Sequence, residues 1–385
     1  MQSMWNLLEN ALSENRDLFP DHEVNSEIID GASEHNKKTC VLLINEILGV
    51  DTADINNTDG VTQDRAVHSM ITFLLGMEIG KFRHLIDLIH KTGLEDYGIT
   101  APRLWMMTAL AHDYGYSSRD IYKQDYDLSL ALRDGNLLTD SYEEPFYCLN
   151  DYSLHYPMYI TYNYETIQNY FRYKQEVYAP GVKKAHPDWA VEFSDHGIIG
   201  GCKLFQKYIR KCRRNIQNNS SSKNSDDLHL LYKTACILAA QHNIFRSYSK
   251  KTDQLYSKYN LNQLLSTSPV AVTEKNPLLL LLSLVDTIEC TKRFSQSSNP
   301  RKYFLSRTVL ENILIEVNEN EIILDYSPLQ EKAATRDGDS SAEWNSFTSR
   351  LASARNGVST FDTWTAVKAE PVDGNEYVLR ITAQE

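Results

Sequence analysis

Through most of its first 300 residues the chain places apolar side chains three and four positions apart, the period of a helix with one buried face. MWNLLENAL and TCVLLINEILG predict two helices within residues 1–60, and DTADINNTDG after them reads as a loop. From Asp64 to His90 a single long helix is predicted, with Gly76 and Gly80 allowing a second helix to approach closely. Arg103 to His112 predicts another, with Pro102 suited to its first turn. Helical spacing resumes over Asp195 to Cys212, Leu228 to Ala240 and Pro277 to Phe294, and the polar string NIQNNSSSKNSDD between the first two reads as a loop.

Two stretches depart from this period. Residues 114–190 are rich in tyrosine, lack sustained heptads and carry turn signals such as RDGN and APG. They predict an insertion of short helices and loops. A tyrosine ring is apolar and its tip polar, so such a segment suits ordinary packing or the wall of a half-wet pocket. Beyond about Asn299, ILIEVNENEIILDY alternates around a polar turn and predicts a hairpin. EWNSFTSRLASARNG predicts a helix stopped by Gly357, and TWTAVKAEPVDGNEYVLRIT a second hairpin turning near Asp373-Gly374. The expected fold class is mainly α, a helical bundle over residues 1–298 with a small C-terminal α+β appendage over 299–385. No internal repeat is evident.

Composition narrows the function classes. A chain of 385 residues that is 42% hydrophobic can bury one large core or two ordinary ones. Its 39 basic and 51 acidic residues give a net charge of −12, which argues against a general grip on duplex nucleic acid. Six cysteines, at 40, 148, 202, 212, 236 and 290, form no C-x-x-C pair, so disulfides and zinc knuckles are not expected. Cys202, Cys236 and Cys290 read as buried thiols. The start is acidic and lacks the basic region of a secretory signal, and PLLLLLSLV is too short to cross a bilayer. A cytoplasmic protein without membrane contact is expected. A homo-oligomer is compatible with a helical enzyme, though no residue pattern specifies one.

The chemistry lies in polar residues set into apolar helical runs. His112 and Asp113 end the run PRLWMMTALAHDYGY. His68 lies in RAVHSMITFLLG, His196 in FSDHGIIGG, His242 in ILAAQHNIF and Asp286 in LLLLLSLVDTIE. Each is costly to bury unpaired, and imidazole and carboxylate are both ligands for divalent metals. Together they predict a site inside the bundle, assembled from several helices.

The order His68, His112-Asp113, Asp286 resembles the HD-domain metal-dependent phosphohydrolases, over roughly residues 60 to 295. The intervening His196 and His242 resemble the subset with two metal ions, DHGIIGG its H-G-x-x-G element and HDYGY its HD-x-G-Y variant. The resemblance implies an HD-type bundle in which His68, His112, Asp113 and Asp286 hold one ion, Asp113 bridges, and His196 and His242 hold the second. Nitrogen and oxygen ligands without thiolate fit iron or manganese first, then zinc, cobalt, nickel or magnesium. The implied reaction is hydrolysis of a phosphoester or phosphoanhydride by metal-activated hydroxide, with a nucleotide or cyclic (di)nucleotide as the small-molecule substrate.

Further residues carry two readings each. Asp195 either relays a proton beside His196 or caps a helix. Arg65, one turn before His68, either meets substrate phosphate or forms a surface salt bridge. Lys292 and Arg293 either meet phosphate or are solvated cations at a helix end. Among the tyrosines, Tyr114 and Tyr116 are the first candidates to contact substrate. His84 could share the helix of His68. Two other function classes remain open at this point: a di-iron oxygenase of the same fold, and a nucleotide-binding regulatory module without turnover.

Overall fold

The computed structural model describes residues 1–19, 24–30, 33–49, 63–90, 98–115, 120–123, 164–185, 190–193, 196–197, 200–201, 204, 208, 225–242, 250–261, 277–291, 306–335, 352, 355, 358 and 367–383. These residues are mostly helical, with a small antiparallel sheet built largely from the C-terminal part of the chain. In chain order they form β1 (Gln2–Ser3), α1 (Met4–Glu14), α2 (Glu27–Asp30), α3 (Glu34–Ile47), α4 (Gln63–Ile79), α5 (Leu85–His90) and α6 (Ala101–Ala111). There follow β2 (Asp120–Lys123), α7 (Tyr164–Ala185), β3 (Ala190–Phe193), α8 (Ser225–Gln241), α9 (Lys250–Lys258) and α10 (Pro277–Ile288). The last elements are α11 (Ser306–Glu311), β4 (Leu314–Val317), β5 (Glu321–Asp325), α12 (Ser327–Thr335), β6 (Val367–Val372) and β7 (Asn375–Ala383).

Helix α4 is the centre of the bundle. It packs against α1, α2, α3, α6 and α10, and the run from Arg65 to Gly76 is buried on every side. A helix apolar all round belongs in a core. Its approach to α6 is set by Gly76, because a Cβ there would lie 2.0 Å from the Trp105 ring. The Trp105 indole N–H donates to the Phe73 carbonyl at 2.9 Å and closes the contact. Helix α6 starts with Pro in its first turn and contributes a second nearly continuous buried run. Ser3 and Ser33 cap α1 and α3 by accepting from the backbone N–H three residues on.

The long helix expected from Asp64 to His90 is broken. α4 stops at Ile79, a 3₁₀ turn spans Phe82–His84, and α5 follows. Arg83 and His84 both stand at φ 53°, a left-handed conformation that ends any right-handed helix. The Arg83 N–H donates to the Glu319 carbonyl at 2.9 Å, so the β4–β5 turn holds the break. Tertiary contact overrides a helical period that is continuous in sequence. His84 therefore does not share the helix of His68, and it is more than half exposed. α10 likewise ends at Ile288, short of the predicted Phe294.

The tyrosine-rich segment is more ordered than expected within its described residues. α7 is one helix of 22 residues that contains Pro180, longer than the short helices expected here, while residues 124–163 lie outside the described residues. β2 and β3 pair antiparallel at either end of the segment, from Asp120↔Phe193 to Lys123↔Ala190. Tyr170 stacks on Tyr173, Tyr173 meets Tyr256 edge-on, and Tyr208 stacks on Tyr232. These rings pack on one another.

The sheet has the order β1-β4-β5-β7-β6, with every pair antiparallel. Both predicted hairpins are present. The second turns at Asp373 (φ 51°) and Gly374 (φ 75°), the left-handed pair that suits a two-residue hairpin turn. Alternation sends Ile315, Ile322, Leu324, Leu379 and Ile381 to the buried face, and Glu316, Glu370 and Arg380 outward. β1, at the start of the chain, pairs with β4 through Gln2↔Ile315, and α1 packs on α11. The first residues of the chain thereby join the sheet, and helical and sheet residues share one buried cluster. Ala352, Arg355 and Val358 are helical, and the rest of the segment from Glu343 to Gly357, including the predicted stop, lies outside the described residues.

Candidate metal centre

Helix ends build the site. His68 lies in the second turn of α4, whereas His112 is the C-terminal cap of α6. His242 follows the last residue of α8, and Asp286 sits in the final turn of α10. α6, α8 and α10 thus end beside the cluster, where their partial negative charge favours a cation. The helical residues His196, Gly200, Leu204 and Tyr208 recur every four positions and are all buried.

Glycines bring the HDYGY and DHGIIGG strings together. A Cβ on Gly115 would lie 2.3 Å from both the Gly200 nitrogen and the His196 carbonyl oxygen. A Cβ on Gly197 would lie 2.4 Å from the Ala239 carbonyl oxygen and 3.0 Å from the His242 ring. Backbone rests directly on backbone, so His196 and His242 can reach the HD pair.

The side chains then converge. His68 Nε2 is 2.9 Å from Asp286 Oδ1 and 3.3 Å from His112 Nε2. His196 Nε2 is 2.9 Å from Asp113 Oδ1, and His112 Nε2 is 3.6 Å from that oxygen. The other oxygen, Asp113 Oδ2, faces His68 Nε2 at 3.6 Å and the Arg65 guanidinium at 3.3 Å. The His242 ring meets those of His112 and His196 edge-on, at centroid distances of 5.1 and 5.0 Å. Asp286, with its side chain 22% exposed, is the member of this group open to solvent.

Hydrogen bonds orient the rings. The Nδ1–H groups of His112 and His242 donate to the carbonyls of Ala109 and Ala239, each at 2.6 Å. A carbonyl only accepts, so Nδ1 carries the hydrogen and a neutral ring keeps its Nε2 lone pair. Burial, with repulsion from His196 and His112, holds the His242 imidazole at about 3, below its usual 6.5, and so neutral. Its Nε2 is buried and lacks a hydrogen-bond partner among the described residues. Burial pushes the Asp113 carboxyl up, but His112, the His196 hydrogen bond and the charges of His196 and His68 outweigh it. The carboxyl lies well below the usual carboxylate range.

A metal ion fits this donor set. The Nε2 atoms of His112 and His242, whose Nδ1–H groups are engaged by carbonyls, turn as acceptors toward the Asp113 carboxylate, and a cation or a shared proton satisfies such a set. Two sets of three ligand atoms lie within 4.8 Å of one another: His68, His112 and Asp286, and His112, Asp113 and His242. No cysteine belongs to either set; Cys40, Cys236 and Cys290 are buried elsewhere in the core.

All six expected ligands are close together. Arg65 is neither on the surface nor open to solvent: it is buried and paired with Asp113. Tyr114 is buried in the core at 1% exposure. Tyr116, Asp195, Lys292 and Arg293 lie outside the described residues. The sequence reading passed over Glu289, which is fully buried and whose Oε2 lies 2.5 Å from His68 Nδ1. A buried acid three residues after Asp286 was the available signal. A cleft of about 850 Å³ between the end of α4 and the β4–β5 turn shares no residue with the cluster. Compared with family models, curated proteins and solved structures, the chain gave no match.

Proposed function

We propose that this chain is a metal-dependent phosphohydrolase with an HD-type bundle, cleaving a phosphoester or phosphoanhydride of a nucleotide or cyclic (di)nucleotide. The observation that carries the reading is the cluster of four buried imidazoles with the buried Asp113 and the partly exposed Asp286, in the order His68, His112-Asp113, His196, His242, Asp286. His68, His112 and Asp286 would hold one divalent ion, and Asp113, His196 and His242 a second. Asp113 presents its two oxygens to different imidazoles, Oδ2 to His68 and Oδ1 to His196, and so would be available to both. Iron and manganese suit these ligands best. When bound, a divalent ion would supply neutralisation of phosphate oxygens and a lowered pKa for water.

The remaining groups position this machinery. Arg65 fixes one oxygen of Asp113. The carbonyls of Ala109 and Ala239 fix the rings of His112 and His242. Asp286 marks the side from which a phosphate can approach. Turnover of nucleotides, cyclic dinucleotides and a nitrophenyl phosphodiester with Mn²⁺ or Fe²⁺ tests the reading. Cleavage by wild type and its loss in Asp113→Ala are expected. No cleavage of any of these with any divalent metal overturns it.

A further inference from the structure

We infer that Glu289 is the positioning residue of this site, holding the proton of His68 on Nδ1 so that Nε2 is turned to the metal as a ligand. This rests on the metal-site reading above and adds the device that orients its first histidine.

α10 ends at Ile288, and the next residue returns to the bundle interior, its N–H still donating to the Val285 carbonyl at 2.8 Å. Asp286 and Glu289 therefore leave the same helix end and grip opposite edges of one ring, Asp286 at Nε2 (2.9 Å) and Glu289 at Nδ1 (2.5 Å). His68 is 1% exposed and Glu289 fully buried, so water does not compete for either. The other oxygen of Glu289 accepts from the Thr291 backbone N–H at 2.7 Å and from the Thr291 hydroxyl. Three donors thus meet one carboxylate, and none of its contacts named here needs it to donate.

This arrangement makes Glu289→Gln a sharp probe. An amide has one accepting end and one donating end. If its NH₂ faces His68, Nδ1 must accept, the proton moves to Nε2, and the ring ceases to be a ligand. If its NH₂ faces Thr291, it opposes a backbone N–H that has no other rotamer. Neither orientation reproduces the wild-type set. His112 and His242 achieve the same ring orientation with backbone carbonyls, so only His68 depends on a side chain for it among these three. A partner of this kind typically changes metal affinity about 10- to 100-fold.

The experiment uses the full chain with histidine ¹⁵N labelling and Mn²⁺ titration. In the metal-free wild type we expect a downfield, exchange-protected His68 Nδ1–H resonance. In Glu289→Gln it is expected to be lost or moved to Nε2, with Mn²⁺ binding about 10- to 100-fold weaker. Glu289→Asp, which keeps the carboxylate, is expected to restore part of both. An unchanged Nδ1–H signal together with Mn²⁺ affinity within twofold of wild type overturns the proposal. If Glu289→Gln does not fold, Thr291→Val carries the test. It is expected to weaken the Nδ1–H protection and Mn²⁺ binding, and wild-type values for both overturn the proposal. Wild type that shows the Nδ1–H signal but binds no divalent metal overturns the phosphohydrolase reading and supports the Glu289 hydrogen bond alone.

Discussion

The Nε2 atoms of His68 and His112 stand 3.3 Å apart in the interior, each on a ring whose Nδ1 is held by an acceptor. Two facing nitrogen lone pairs repel, so this pair is stable only with a proton or a cation between them. A metal ion binding the folded state alone stabilises it by mass action, by about 2.7 kcal/mol at a hundredfold excess over Kd. Thermal unfolding with Mn²⁺ against EDTA is expected to show a higher midpoint with metal. The rise should shrink in His112→Ala, which removes a ligand of one ion; an equal rise in that variant contradicts the site.

Asp113 accepts from His196 and pairs with Arg65 while only 2% exposed. Asp113→Asn keeps the shape and removes the charge that both partners face. Breaking a buried pair from one side costs about 3 kcal/mol. Urea unfolding in EDTA is expected to register a loss of this size, and elemental analysis to find bound metal absent. Full metal content in the variant would remove Asp113 from the ligand set.

The neutral His242 makes the metal-free protein sensitive to acid. The unfolded imidazole takes a proton as the pH falls through 6.5, and the folded one does so only at about 3. Its contribution is present above 6.5 and is lost as the pH falls below it, with a slope of up to about 1.4 kcal/mol per unit. The low folded value of Asp113 acts in a separate window, with stability present above the ordinary carboxylate range and lost only below it. Between pH 7 and 5 in EDTA, wild type should therefore lose about 2 kcal/mol more than His242→Gln. Parallel losses in urea unfolding would place His242 in water or in its charged form.

The contact between Gly115 and Gly200 leaves no room for a side chain. Gly115→Ala is expected to destabilise by about 1–3 kcal/mol and to weaken metal binding, since His196 moves with Gly200. Gly181, in α7, has nothing within 4 Å of a Cβ placed on it, so Gly181→Ala is the matched control. Its change should be within about 1 kcal/mol and stabilising in sign. Denaturant midpoints of the two variants distinguish site-specific crowding from a general effect of adding a methyl group.

Much of the helical framework was legible because burial imposes a period. α1, α3, α6 and α8 follow their apolar spacing, and both C-terminal hairpins follow alternation and turn chemistry. The break at Arg83 and His84 was not legible, since the apolar spacing runs through it and the restraint is the Glu319 carbonyl some 235 residues away. The single long α7 was hidden by turn-like residues such as Pro180 and Gly181 that the helix accommodates.

For the site, sequence alone determined which residue types were too polar for their apolar surroundings: His68, His112, Asp113, His196, His242 and Asp286. That follows from the cost of burying an unpaired polar group, which is local to each helix. Only the tertiary structure decided that their ligand atoms meet, that Arg65 turns inward to Asp113, and that Glu289 holds the far side of His68. Those are relations of direction between side chains tens to hundreds of residues apart. They are fixed by glycine contacts and helix ends, whose geometry no one-dimensional spacing contains.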